Sequence, residues 1–136
     1  MKLYVLDSNA IVRYLEAGKD WEKVRTLIER AGEDEVKLFI SVINWGEAMC
    51  VAAKKAGLER AVAYLKTLGT AIDIIPAGEA DTEAAVAVKH NYKLGYADSF
   101  AAALAMRLNA TLVTADPEFA KLGKKLKVVP LQRHNE

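Results

Sequence analysis

The sequence predicts an α/β fold: a three-layer α/β/α sandwich around a mostly parallel central sheet of four to five strands. Three observations carry that expectation. Short β-rich runs alternate with longer helical runs along the chain, the order that strand–helix–strand crossovers produce. The clearest strand candidates are apolar at consecutive positions, as strands covered on both faces are. No repeat, low-complexity tract or linker interrupts the 136 residues, so one domain spanning 1–136 is expected, with the last few residues as a flexible tail.

The elements follow in order. Lys2–Asp7 reads as a buried strand and Ser8–Glu16 as a helix. Asp20–Ala31 reads as a second helix, with Trp21, Val24, Leu27 and Ile28 at helical spacing and Asp20 as its N-cap. Val36–Ser41 is the second strand, and Val42–Ala56 a long helix that Gly57 ends. Leu58–Leu68 is helical up to Gly69. Ala71–Ile75, closed by Pro76, is the third strand. Glu79–Tyr92 and Ala97–Leu108 are Ala-rich helices, and Thr111–Thr114 is the fourth strand. A short helix after Pro117 and a last strand at Lys127–Val129 complete the reading.

Composition narrows the function classes. A hydrophobic content of 52% is enough for a core without staples. The one cysteine, Cys50, leaves no partner for an internal disulfide and suits a reducing cytoplasm. No secretory signal is visible, and Asp7 cuts the opening apolar run short. No stretch approaches the roughly 18 apolar residues of a membrane span. With a net charge of +1, a nucleic-acid partner has to be met by local patches. His90 and His134 lie far apart and Cys50 stands alone, which argues against zinc. There is no phosphate-binding P-loop, dinucleotide fingerprint or nucleophile elbow.

In parallel sheets ligands bind beyond the carboxyl ends of the strands, so acids just after strands draw the eye. Asp7 closes the first strand; its ordinary reading is a helix N-cap, but Ser8 and Asn9 extend the polar run beyond what a cap needs. Asp98 opens a helix on the stripe of Ala101, Ala102 and Ala105, either as a helix-dipole partner or as a functional acid on a packed face. Asp116, before Pro117, reads as an N-cap with proline at the first helical position. Glu47 shares a helix face with Asn44, Lys54 and Lys55, a solvated polar face by default, with Trp45, Met49 and Ala52 opposite. Neither Glu47 nor Asp98 has a cation four residues on. Four carboxylates converging at the strand ends would repel one another. A hard divalent cation such as Mg²⁺ or Mn²⁺ relieves that repulsion through oxygen ligands.

These residues resemble the PIN-domain family, most closely the VapC-like toxins of toxin–antitoxin modules. The matching segments are Leu6-Asp7-Ser8-Asn9, Ser41 to Glu47, Leu94 to Ser99 with Ala101–Ala105, and Thr111 to Asp116. The resemblance implies a metal-dependent endoribonuclease, with Asp7, Glu47, Asp98 and Asp116 as catalytic and metal-binding acids. Ser8, Asn9, Ser99 and Thr114 would be polar supports. It further implies an RNA substrate, a homodimer and a cognate antitoxin. Alternatives within reach are a PIN nuclease acting without an antitoxin, a non-catalytic PIN-fold module and, last, a receiver-like or phosphatase domain. Arg13, Lys54 and Lys55, and a second group at Lys121, Lys124, Lys125 and Lys127, are the candidate cations for the RNA backbone. Each also reads as an ordinary solvated charge.

Overall fold

The computed structural model describes residues 1–133, leaving His134 and the expected C-terminal tail outside the described residues. Five strands, β1 (Lys2–Leu6), β2 (Val36–Ser41), β3 (Asp73–Ile75), β4 (Thr111–Thr114) and β5 (Val128–Pro130), form one sheet in the order β3-β2-β1-β4-β5. Every neighbouring pair is parallel. The helices are α1 (Ser8–Glu16), α2 (Trp21–Gly32), α3 (Val42–Ala56), α4 (Leu58–Leu68), α5 (Glu79–Tyr92) and α6 (Tyr96–Leu108). Short 3-10 segments cover Gly69–Ala71 and Pro117–Lys125.

The consecutive apolar runs are explained by two cores, one on each face of the sheet. Tyr4 and Leu6 of β1, Leu38 and Ile40 of β2 and Val113 of β4 pack with Ile11, Val24, Trp45 and Leu65 from α1 to α4. Val5 and Leu112, one residue out of phase, pack with Leu94, Ala101, Ala102, Leu104 and Phe119 on the other face. A strand with both faces buried has no use for polar alternation. Pro130 sits in the edge strand β5, where its missing N–H leaves no ladder position unpaired. None of the helices of residues 1–133 is long and apolar enough to cross a membrane.

Three local expectations are corrected. Asp20 precedes α2, but its backbone is left-handed at φ 65° and its side chain makes no cap bond. Its carboxylate accepts from the Gln132 N–H at 2.7 Å and pairs with Lys23. β3 is shorter than the apolar run, because Gly69–Ala71 closes α4 as a 3-10 turn first. The polar face of α3 is not wholly solvated: Asn44 is buried, while Glu47, Lys54 and Lys55 are exposed.

Candidate active site

With all strands parallel, the C-terminal ends of β1, β2 and β4 share one edge of the molecule. Asp7 follows β1 directly and is completely buried. Its Oδ1 caps α1 by accepting from the Ala10 N–H at 3.0 Å, and its Oδ2 accepts a hydrogen bond from the Thr114 hydroxyl. That hydroxyl also accepts from the Asp116 N–H at 3.0 Å and from Asn9 Nδ2 at 3.4 Å. Asn9 Oδ1 in turn accepts from the Ala115 N–H at 2.8 Å. The loop after β4 is thus locked to the loop after β1, with Thr114 as the junction between Asp7 and Asp116.

Asp116 caps the Pro117–Lys125 segment through the Glu118 N–H at 2.9 Å, with Pro117 at the first turn. Asp98 lies in the first turn of α6, half-buried. A Cβ added at Gly95 would stand 3.3 Å from Asp98 Oδ2, so the glycine leaves room for the carboxylate. Carboxylate oxygens of Asp98, Asp116 and Glu118 all lie within 4.8 Å of one another.

Electrostatics tie the remaining acids to this cluster. Burial pushes the Asp7 carboxyl up to about 7 against the hydrogen bonds from Thr114 and Ala10, and the charges of Asp98 and Asp116 push the same way. Asp98 is pushed up to about 6, by burial first and then by Asp116, Glu47 and Glu118. Of the acids singled out in the sequence, Asp7 therefore feels the charges of Asp98 and Asp116, and Asp98 feels those of Asp116 and Glu47. The tight three-oxygen set, however, contains Asp98 and Asp116 with Glu118 rather than Asp7 or Glu47. The sequence reading missed Glu118. The available signal was the Asp-Pro-Glu order, because a capping acid followed by proline at the first helical position places the next residue in the turn whose N–H the cap accepts.

The donor set fits a hard divalent cation. Every candidate ligand is a carboxylate oxygen, as Mg²⁺ and Mn²⁺ prefer, and the charges of Asp116, Glu47 and Glu118 add to burial in raising the proton affinity of Asp98. Among the described residues no cysteine or histidine joins the group.

Some expected supports lie elsewhere. The Ser99 hydroxyl donates to the Gly95 carbonyl at 2.8 Å, back into its own helix, and orients no acid. Ser8 opens α1, half-buried. Arg13 is only 4% exposed, and its guanidinium donates to the carbonyls of Lys19 and Gln132. It fastens the segment that follows β5 and is not presented to RNA. Lys55 is ion-paired with Glu16. Lys54 remains exposed, as do Lys121, Lys124, Lys125 and Lys127. Lys121 is shared with Glu118 at 3.3 Å, and Lys125 lies over the Tyr92 ring.

The family model described as PIN domain matches residues 4–125. The chain belongs to the PIN domain family. Among solved structures this PIN domain resembles VapBC2 of Rickettsia felis bound to a promoter DNA fragment, with a TM-score of 0.74 and 20% identity over 96% of this chain and 99% of that one. DNA-bound VapBC of Salmonella typhimurium gives a TM-score of 0.74 and 17% identity over 96% and 98%. Mycobacterium tuberculosis VapC20, described as a sarcin–ricin-loop-cleaving toxin, gives 0.64 and 16% over 90% and 95%. These likenesses establish the shared fold. No match was found among proteins of curated function.

Proposed function

We propose that this PIN domain is a divalent-metal-dependent endoribonuclease and the toxin of a toxin–antitoxin pair. The observation that carries the reading is the set of Asp98, Asp116 and Glu118, whose carboxylate oxygens lie within 4.8 Å of one another at the strand ends, with Asp7 feeling the charges of Asp98 and Asp116 and Asp98 that of Glu47. Asp98, Asp116 and Glu118 offer the oxygens that would hold Mg²⁺ or Mn²⁺, with Asp7 and Glu47 beside them. A bound ion of this kind supplies a lowered pKa for coordinated water and neutralises charge on a phosphate. Asp7 is fixed by Ala10 and Thr114, so it holds its place without reorganising when substrate arrives. In-line displacement of the ribose 3′ oxygen by water leaves a 5′ phosphate and a 3′ hydroxyl.

The RNA backbone is met by Lys121, Lys124 and Lys125, on the segment that Asp116 caps, so the basic patch starts where the acidic centre ends. An antitoxin would seat in the groove of about 560 Å³ between α1, α3 and α4, where Val12, Leu15, Val51, Ala52 and Tyr64 give apolar lining and Glu16, Lys55 and Arg60 give charge. Leu58 and Tyr64 are 68% and 65% exposed, an apolar rim that suits an amphipathic helix of a partner. Val86 on α5 and Met106 on α6, both exposed, suit a second copy of the chain. The working compartment is the cytoplasm, where Cys50 stays a free thiol.

Cleavage of a purified single-stranded RNA tests the activity. Asp98→Asn is expected to lower the rate at least ~100-fold, and EDTA to abolish it until Mn²⁺ is restored. Undiminished cleavage by the variant, or in EDTA, contradicts the proposal.

A further inference from the structure

Asn44 stands one turn before Glu47 on α3 and has no solvent exposure. Its Nδ2 donates to the Ala97 carbonyl, in the first turn of α6, at 3.0 Å and to Glu47 Oε1 at 3.4 Å. Both partners can only accept, so the amide's orientation is forced: turned over, it would set oxygen against oxygen twice. The forced orientation leaves Asn44 Oδ1 buried without a hydrogen-bond partner. An orphan acceptor of this kind weakens the folded state, and an apolar side chain of the same size avoids it. What an apolar residue lacks is the link between α3 and α6. Among the described residues, Asn44 is the only hydrogen-bond donor to the Glu47 carboxylate, which is otherwise exposed.

We propose that Asn44 is a positioning residue: its amide ties the Glu47 carboxylate to the start of α6 and so sets the placement of Glu47 against Asp98 in the acidic centre. The inference rests on the metal-centre reading above. It makes Asn44 a determinant of cation affinity although it is not itself a ligand. Supports of this kind typically change metal affinity by about 10- to 100-fold when removed.

The test is Mn²⁺ binding to the full chain, followed by the electron paramagnetic resonance signal of free Mn²⁺, together with urea denaturation of the metal-free protein. Asn44→Leu is expected to weaken Mn²⁺ binding about tenfold while its denaturation midpoint stays level or rises. Glu47→Gln is expected to weaken binding as well, and the double variant to lose no more than Glu47→Gln alone. Asn44→Ala, which leaves a smaller side chain, should show the same affinity loss and the same non-additivity if Asn44→Leu fails to fold. Variants that bind Mn²⁺ as tightly as the wild type, or whose loss adds in full to that of Glu47→Gln, overturn the inference alone. A wild-type chain that takes up no Mn²⁺ overturns the metal-centre reading, and this inference with it.

Discussion

The sequence presented a helix cap and a functional acid as rival readings of Asp7. It caps α1, and it is buried where it feels the charges of Asp98 and Asp116, so the cap leaves the second reading open. A carboxyl held at about 7 in the fold, against 3.8 in a free chain, binds its proton more tightly when folded. The sign of its effect on stability follows. Between about pH 4 and pH 7, Asp7 holds its proton in the folded chain and not in the unfolded one, so its contribution to metal-free stability falls as pH rises through that window. Asp7→Asn keeps a capping oxygen and removes the buried charge. It is expected to raise metal-free stability at pH 8 by about 1–3 kcal/mol and to flatten the pH dependence, while abolishing cleavage. Urea denaturation at pH 5 and pH 8 measures it, and a variant less stable than its parent at pH 8 contradicts the assignment. Arg13 makes the opposite case. Its buried guanidinium serves the carbonyls of Lys19 and Gln132, so Arg13→Ala should destabilise the fold by roughly 1–3 kcal/mol with little change in the salt dependence of RNA binding. A lowered salt slope would return Arg13 to the RNA surface.

At the scale of elements, the sequence exposed most of what the chain builds. α1, α3, α4, α5, β2 and β4 run between the residues that capping and apolar periodicity mark out. What it hid were side-chain destinations that depend on partners distant in sequence. Asp20 looks like a cap, yet bonds to Gln132. Asn44 looks solvated, yet meets Ala97 on another helix. Glu118 is marked only by its place after Asp116 and Pro117, and it reaches the acids through the turn that they make. Two predictions belong here. Charge reversal at Lys124 and Lys125, which lie on that same segment, should weaken RNA binding and reduce its dependence on log salt concentration; a filter-binding series across salt concentrations reads both. At the start of α6, Gly95→Ala should crowd Asp98 Oδ2 and weaken Mn²⁺ binding while the unfolding transition moves little. Wild-type affinity in that variant would mean that the carboxylate has room to spare.

For the whole molecule, two cores of opposite phase fix the sheet, and an all-parallel sheet sends its strand ends to one side. That geometry turns acids separated by more than a hundred positions, Asp7 and Asp116, into neighbours locked through one threonine hydroxyl. The placement of Asp7 and Asp116 was legible in the sequence as acids following apolar runs, and the family as a resemblance of ordered motifs. The tightness of the Asp98–Asp116–Glu118 set was not legible, because it depends on the angle at which the last helical segment leaves β4. The groove along α1, α3 and α4 is a property of the assembled molecule as well. Replacing Tyr64 by Glu should abolish capture by an antitoxin helix while leaving RNA cleavage intact.

The most direct measurement is the chemistry of the cleaved ends. Incubation of the chain with single-stranded RNA and Mg²⁺ should give fragments with 5′ phosphates and 3′ hydroxyls, the products of water attacking phosphorus. Fragments ending in 2′,3′-cyclic phosphates with 5′ hydroxyls, formed equally well in EDTA, would show that the ribose hydroxyl is the nucleophile and that the acidic centre has no part in the reaction.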